Sequence, residues 1–227
     1  MKDIKLVVFD MAGTTVNEGN VVYKTVQKAL VEAGVEVTLD AVLEHGAGKE
    51  KYKAIVDILE HTVAGQNLKI DAESVFKNFK NLLKEAYSDL KVTTYTGIEE
   101  LFELLKSHKI KVVLNTGYDT KTANGLLEKL RWKVGDQIDA LITADDVEKG
   151  RPSSEMIDKA MELFNISDAS QVLKAGDSAI DIEEGKNANC GMTVGVLTGA
   201  QNREQLEKAD PTIILDSLSA LEEVLFS

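Results

Sequence analysis

The chain has 227 residues, of which 44% are hydrophobic and 28% charged, with a formal charge of −12; it is long enough to bury a sizeable core without staples. An acidic balance of this size repels nucleic acid and anionic lipid, so both are excluded as partners, and an anionic substrate requires a metal ion or local cations that reverse the field inside a pocket. The single Cys190 leaves no internal disulfide and reads as a packing residue, no run reaches the roughly 20 apolar residues of a membrane span, and the apolar start is cut at Asp10, too soon for a signal peptide, so the expected setting is cytoplasmic.

In chain order, residues 4–9 form a near-continuous apolar run ending in Asp10, the pattern of a parallel strand buried on both faces with a functional residue at its carboxyl end. Residues 17–92 then show helical periodicity and no convincing strand. Val22, Val26, Ala29, Leu30 and Ala33 share one apolar face, Ala54, Ile55, Ile58 and Leu59 a second, and Val75, Phe76, Phe79, Leu82, Leu83 and Tyr87 a third. This predicts a cap of four or five helices joined to the rest by hinges at 17–20 and 93–97. Beyond it, short strands at 111–116, 140–143, 172–177, 193–196 and 212–216 alternate with helices at 98–107, 121–130, 153–164, 181–187, 203–208 and 218–225. Asp119 or Thr120 opens the second of these helices and Ser153 the third. Such alternation predicts an α/β fold with a doubly wound, Rossmann-like parallel sheet. The core domain is expected at 1–16 and 93–227 and the inserted helical cap at 17–92, with no internal repeat.

In such sheets ligands sit beyond the carboxyl ends of the strands, where Asp10, Thr116, Asp145 or Asp146, and Asp177 are expected to converge. The turn Met11-Ala12-Gly13-Thr14-Thr15 supplies small residues whose backbone N–H groups suit phosphate oxygens. Asp177 and Asp181 flank a helix start at a spacing suited to a hard cation, so Asp10 and Asp177 together can hold Mg²⁺.

Phe9-Asp10-Met11-Ala12-Gly13-Thr14-Thr15, Asn115-Thr116-Gly117, Gly150-Arg151-Pro152 and Gly176-Asp177-Ser178 with Asp181 resemble the four ordered motifs of the haloacid dehalogenase superfamily, over nearly the whole chain. The resemblance implies a Mg²⁺-dependent hydrolase acting on a small phosphorus substrate. It makes Asp10 the nucleophile that becomes an aspartyl-phosphate, Thr116 the donor to phosphoryl oxygens and Arg151 the charge-balancing cation where the family usually has Lys, with Lys149 as a rival. Asp177 and Asp181 lie around the metal, the Ala12 carbonyl completes its contacts, and Gly13, Thr14, Gly117 and Ser178 touch substrate. Most phosphatases of the superfamily carry an Asp general acid where this chain has Ala12, and its loss would cost an ester phosphatase roughly 10²–10⁴ in rate.

That change, with Gly150-Arg151-Pro152, resembles the phosphonatase branch. There a cap lysine forms a Schiff base with the aldehyde of phosphonoacetaldehyde, and the iminium takes the electrons of the breaking C–P bond. The family lysine lies in a Gly-x-x-Lys segment, and Gly46-Ala47-Gly48-Lys49 puts Lys49 there; His45 and Tyr52 stand where the family has Met and His. The first cap helix, by the same analogy, allows a homodimer. His61 and His108 read as solvated or capping, and Trp132 and Tyr118 as core or pocket wall. The alternatives are a phosphate-monoester phosphatase using Asp181 or a cap residue as acid, a non-enzymatic phospho-acceptor, or a ligand-binding protein without turnover.

Overall fold

The computed structural model describes residues 3–62, 70–88 and 90–226. Its centre is a six-stranded parallel sheet of order β5-β4-β1-β6-β7-β8. The strands are β1 (Leu6–Asp10), β4 (Lys111–Asn115), β5 (Ala140–Ile142), β6 (Val172–Gly176), β7 (Met192–Val196) and β8 (Ile213–Leu215). Alternate residues of β1 serve opposite faces. Val7 and Phe9 enter one apolar cluster with Val112, Leu114, Leu173 and Val194, while Leu6 and Val8 enter another with Val113, Ile142, Ile157 and Val172. Cys190 packs at the edge of the second. Burial on both faces is why these strands read as unbroken apolar runs.

The chain leaves β1 to one side and returns to the other, so β1 lies at the switch point where a doubly wound sheet opens its ligand crevice. In register, Asp10 stands beside Asn115. Helices α5 (Ile98–Ser107), α6 (Thr120–Leu130), α7 (Glu155–Leu163), α8 (Ala179–Asn187), α9 (Arg203–Lys208) and α10 (Leu221–Phe226) cover the sheet. Asp119 caps α6, its Oδ1 accepting from the Thr122 amide at 2.9 Å. For α7 the cap is Ser154 and not Ser153, because the Ser153 amide closes a turn onto the Gly150 carbonyl at 3.1 Å.

The insertion holds four helices among the described residues: α1 (Val21–Glu32), α2 (Leu39–Gly46), α3 (Lys51–Thr62) and α4 (Ala72–Ser88). The apolar face of α1, with Val22, Val26, Ala29 and Leu30 buried, is covered within the chain, α4 being its main neighbour. The two connections expected as bare hinges contain a short antiparallel ladder, β2 (Val16–Asn17) with β3 (Thr93–Thr94). Two residues are too few for a period-2 pattern to show in sequence. Among the described residues no helix is long and apolar enough to cross a membrane.

Candidate active site

Asp10 ends β1 with only 5% of its surface exposed. Its Oδ1 receives Arg151 Nη1 at 2.6 Å, and the same Nη1 lies 2.8 Å from Asp181 Oδ1. Arg151 Nη2 donates to Asn115 through the backbone oxygen at 2.9 Å and the side-chain Oδ1 at 2.7 Å, while Nε sits 3.1 Å from Glu184 Oε2. The guanidinium is thus enclosed by protein acceptors. It holds one oxygen of the Asp10 carboxylate and sets positive charge beside it.

Behind it lies Lys174, fully buried in β6, whose Nζ contacts Asp181 at 2.9 Å, Glu184 at 3.2 Å and Asn115 Oδ1 at 2.8 Å. Asn115 Nδ2 in turn donates to Glu184 Oε1 at 2.8 Å. Lys174 and Glu184 were not among the residues expected from sequence. Their signal was a charged residue inside an otherwise apolar strand and an acid one turn beyond Asp181, positions that stay charged only when paired.

The ionisation of these groups follows from their surroundings. Burial raises the Asp10 carboxyl, with Arg151 pulling against it. Asp177 is pushed well above the usual carboxylate range by burial and then by Asp10 and Asp181. Asp181 is held below its ordinary value because Arg151 and Lys174 overcome its burial. With both oxygens occupied by Arg151, Lys174 and Ser178, Asp181 is an anchor for the cations and has no proton to give as a general acid.

Asp177 is packed between glycines: a Cβ on Gly13, whose φ is 85°, would fall 2.1 Å from Asp177 Oδ2, and one on Gly199 would also collide with it. Asp177 Oδ2 accepts the Ala200 amide at 2.6 Å. The expected use of the Gly13 and Thr14 amides for phosphate is corrected by the loop itself. Gly13 N donates to Val16 O at 3.0 Å and Thr14 N to Met11 O at 3.2 Å, so closing the tight turn consumes them. The Thr14 hydroxyl is buried without a hydrogen-bond partner among the described residues. Thr116 Oγ1 accepts the Tyr118 amide at 3.2 Å, which leaves its proton available to an incoming oxygen. Ser178 Oγ is spent on Asp181.

Four buried carboxylates (Asp10, Asp177, Asp181 and Glu184) face two buried cations, Arg151 and Lys174. The surplus negative charge falls on Asp10 and Asp177, and an all-oxygen donor set with that surplus fits a hard divalent cation. Among the described residues no three His, Cys, Asp or Glu side chains gather to hold a metal by themselves. Lys149 is exposed and not in the cluster, its backbone amide bonded to Glu155. Asp145 and Asp146 turn instead to backbone amides of Thr120 and Thr143 at 2.8 and 2.9 Å.

The cap meets this cluster through the loop between α2 and α3. At Gly48, φ 73°, a Cβ would strike Ile180 and Ser178, and one on Gly117 would touch the Lys49 carbonyl at 3.0 Å. The loop therefore seats on the motifs that follow β4 and β6. Lys49, expected from its motif spacing as the amine, lies in an ion pair in this structure: its Nζ pairs with Asp57 Oδ2 on α3 at 2.5 Å, and its side chain is a quarter exposed.

Lys51, two residues on, is 7% exposed. Its Nζ donates to the Lys49 carbonyl at 2.6 Å and lies over the rings of Tyr23 and Tyr118 at 5.0 and 5.2 Å. Burial lowers its pKa to about 8, with Asp10 the strongest charge opposing the shift. Tyr23 is pinned by the Gly48 amide at 3.0 Å, while Tyr52 is 42% exposed and packs edge-on to Phe76. Glu18, 2% exposed in the first connection, is raised to about 7 by burial. Trp132 belongs to the core, edge-on to Phe102 and bonded to Glu99 at 2.7 Å. His108 and His61 each meet a carbonyl of their own helix, and His61 stacks on His45 at 4.3 Å.

The haloacid dehalogenase-like hydrolase family matches over residues 7–196. A phosphonoacetaldehyde hydrolase of Parabacteroides distasonis is 32% identical over 213 residues, covering 88% of this chain and 78% of that protein. One from Latilactobacillus sakei is 30% identical over 207 residues, covering 87% and 77%. Among solved structures, a phosphonoacetaldehyde hydrolase-like protein from Oleispira antarctica superposes with a TM-score of 0.83 at 23% identity, covering 98% of this chain and 91% of that one. A predicted phosphoglycolate phosphatase from Haemophilus somnus gives 0.80 at 19% identity, covering 99% of each.

Proposed function

The chain belongs to the haloacid dehalogenase-like hydrolase family, and from that premise we propose a phosphonatase-like enzyme that cleaves the C–P bond of a 2-oxoalkylphosphonate such as phosphonoacetaldehyde. The observation that carries this reading is Lys51, an amine buried among tyrosines at the cap–core junction with its pKa lowered to about 8. An ester phosphatase has no use for a neutral amine there, whereas Schiff-base chemistry needs one. Ala12 supports it, since an iminium electron sink removes the need for an acid to protonate an alkoxide.

In this mechanism the neutral Lys51 amine adds to the substrate carbonyl and expels water, giving an iminium. Asp10 attacks phosphorus with the oxygen that Arg151 does not hold. The C–P bond breaks, its electron pair neutralises the iminium as an enamine, and the phosphoryl group passes to Asp10. Thr116 donates to a phosphoryl oxygen. Asp10, Asp177 and the Ala12 carbonyl would hold Mg²⁺, which when bound supplies positive charge to the transferring group. Protonation of the enamine carbon and hydrolysis of the iminium return Lys51 and release the aldehyde or ketone. A further water cleaves the aspartyl-phosphate, so one water is consumed overall. The helical insertion, 17–92, acts as a hinged cap that closes over the reaction.

The test is borohydride trapping with phosphonoacetaldehyde, followed by peptide mapping. A reduced adduct on Lys51, together with phosphate release, is the expected result. No adduct on any lysine, with phosphate esters turned over in preference, would make the protein an ester phosphatase.

A further inference from the structure

Beside Lys51 a cleft of about 640 Å³ opens between α4 of the cap and α6 of the core, a volume that takes a whole small-molecule ligand. Lys51, Gly117 and Tyr118 line both it and the candidate site. The carbon fragment of phosphonoacetaldehyde would fill a small part of it. The walls are helical stripes: Phe76, Lys80, Leu83, Lys84 and Tyr87 recur at three- and four-residue spacing on α4, and Lys121, Gly125 and Lys129 at four-residue spacing on α6.

The charge of this lining runs against that of the protein. Five lysines (51, 80, 84, 121 and 129) face three acids, Glu50, Asp119 and Asp145, in a chain of formal charge −12. The acids are committed to backbone amides. Glu50 accepts from Tyr52 and Lys53, Asp119 from Thr122, and Asp145 from Thr120, all at 2.8–2.9 Å. Among the described residues no carboxylate lies within ion-pair distance of Lys80, Lys84 or Lys121, and Lys80 has only the Phe76 ring, 4.7 Å away.

Gly125 is a second, independent sign. A glycine inside a helix costs roughly 0.5–1 kcal/mol relative to alanine, yet a Cβ there would meet nothing within 4 Å. No packing constraint on the protein side excludes a side chain, and what its absence preserves is open cleft.

We propose that this cleft binds the carbon chain of the substrate beyond its reactive carbonyl, and that the chain ends in a second anionic group, a carboxylate or phosphate, held among Lys80, Lys84 and Lys121. The inference rests on the phosphonatase-like reading and narrows its substrate class to 2-oxoalkylphosphonates with an anionic tail.

The experiment compares three substrates under one phosphate-release assay: phosphonoacetaldehyde, a 2-oxoalkylphosphonate of four to six carbons ending in carboxylate, and its uncharged methyl ester. The carboxylate is expected to exceed both others in kcat/KM by about tenfold or more, which is about 1.4 kcal/mol. Lys80→Glu with Lys84→Glu should collapse that preference, and Gly125→Leu should raise KM for both tailed substrates relative to phosphonoacetaldehyde. A preference for the ester, or a carboxylate preference untouched by the charge reversal, overturns the anionic tail. Cleavage of phosphonoacetaldehyde with a Lys51 adduct but no gain from any tail overturns this inference alone. Failure to cleave any phosphonate removes both it and the reading on which it rests.

Discussion

Lys51 and Lys174 are both lysines with almost no exposed surface, 7% and 0%, set on opposite sides of the candidate site. Lys174, on the core side, has Asp181 and Glu184 within 3.2 Å. Lys51, on the cap side, has a carbonyl and two aromatic faces and, among the described residues, no carboxylate in contact. Burial without a counter-charge disfavours the ammonium, while burial inside a paired network keeps the charge as part of the fold. The core thus holds its charges fixed, and the cap holds an amine that can lose its proton near neutral pH.

The largest effects are on turnover. Asp10→Asn should reduce phosphate release to below a few per cent, because an amide does not form the phosphoryl-enzyme. Iminium trapping on Lys51 should survive that substitution. Its pH profile should also move lower, since the Asp10 charge is what most opposes the depression of Lys51. An unmoved profile would mean that the two sides are not coupled through the field, and trapping that disappears would mean that Asp10 is needed for the imine as well as for phosphoryl transfer.

Next come stabilities, where one substitution at two positions should give opposite signs. Lys174→Met leaves Asp181 and Glu184 short of a buried cation and should cost about 3–5 kcal/mol in denaturant unfolding. Lys51→Met should instead stabilise. The folded pKa of about 8 lies below the free value of 10.5, so below pH 8 the folded protein carries a disfavoured charge worth about 3 kcal/mol at 1.36 kcal/mol per unit. Between pH 8 and 10.5 the unfolded chain binds the extra proton, so wild-type stability from this group rises with pH. The advantage of Lys51→Met is therefore full at pH 7 and gone above pH 10.5, while C–P cleavage is lost throughout. Equal signs for the two methionine variants would break the comparison.

The core side was largely legible in the sequence. Apolar runs ending in Asp10, Thr116 and Asp177 marked strand ends, and the doubly wound rule brought them together. What escaped was Lys174, hidden because a charged residue inside a buried strand has meaning only once its partners across the fold are known. The cap side was harder because motif spacing competed with periodicity. Gly-x-x-Lys spacing selected Lys49, but α3 begins at Lys51. The apolar stripe Ala54, Ile55, Ile58 and Leu59, extended one turn back, lands on Lys51. The β2–β3 ladder carried no readable pattern at all.

The smallest effect sharpens this last point. Lys49 and Lys51 are two residues apart, yet the αL turn at Gly48 and the start of α3 send them to different environments. Lys49 makes one ion pair, with Asp57, and both side chains are partly exposed, 25% and 20%, so screening by solvent and salt limits its worth to about 0.2–1 kcal/mol. Lys49→Met should lower stability by no more than that and should lose the difference in high salt. Its effect on C–P cleavage should be a few-fold at most, through the loop that carries the Lys49 carbonyl to both Gly117 and the Lys51 ammonium. The check is kcat/KM for phosphonoacetaldehyde with Lys49→Met and Lys51→Met measured side by side. If Lys49→Met abolishes cleavage while Lys51→Met retains it, the amine is Lys49 after all. The cap must then open the Lys49–Asp57 pair during turnover, and the depressed amine among the tyrosines would be left with a structural part only.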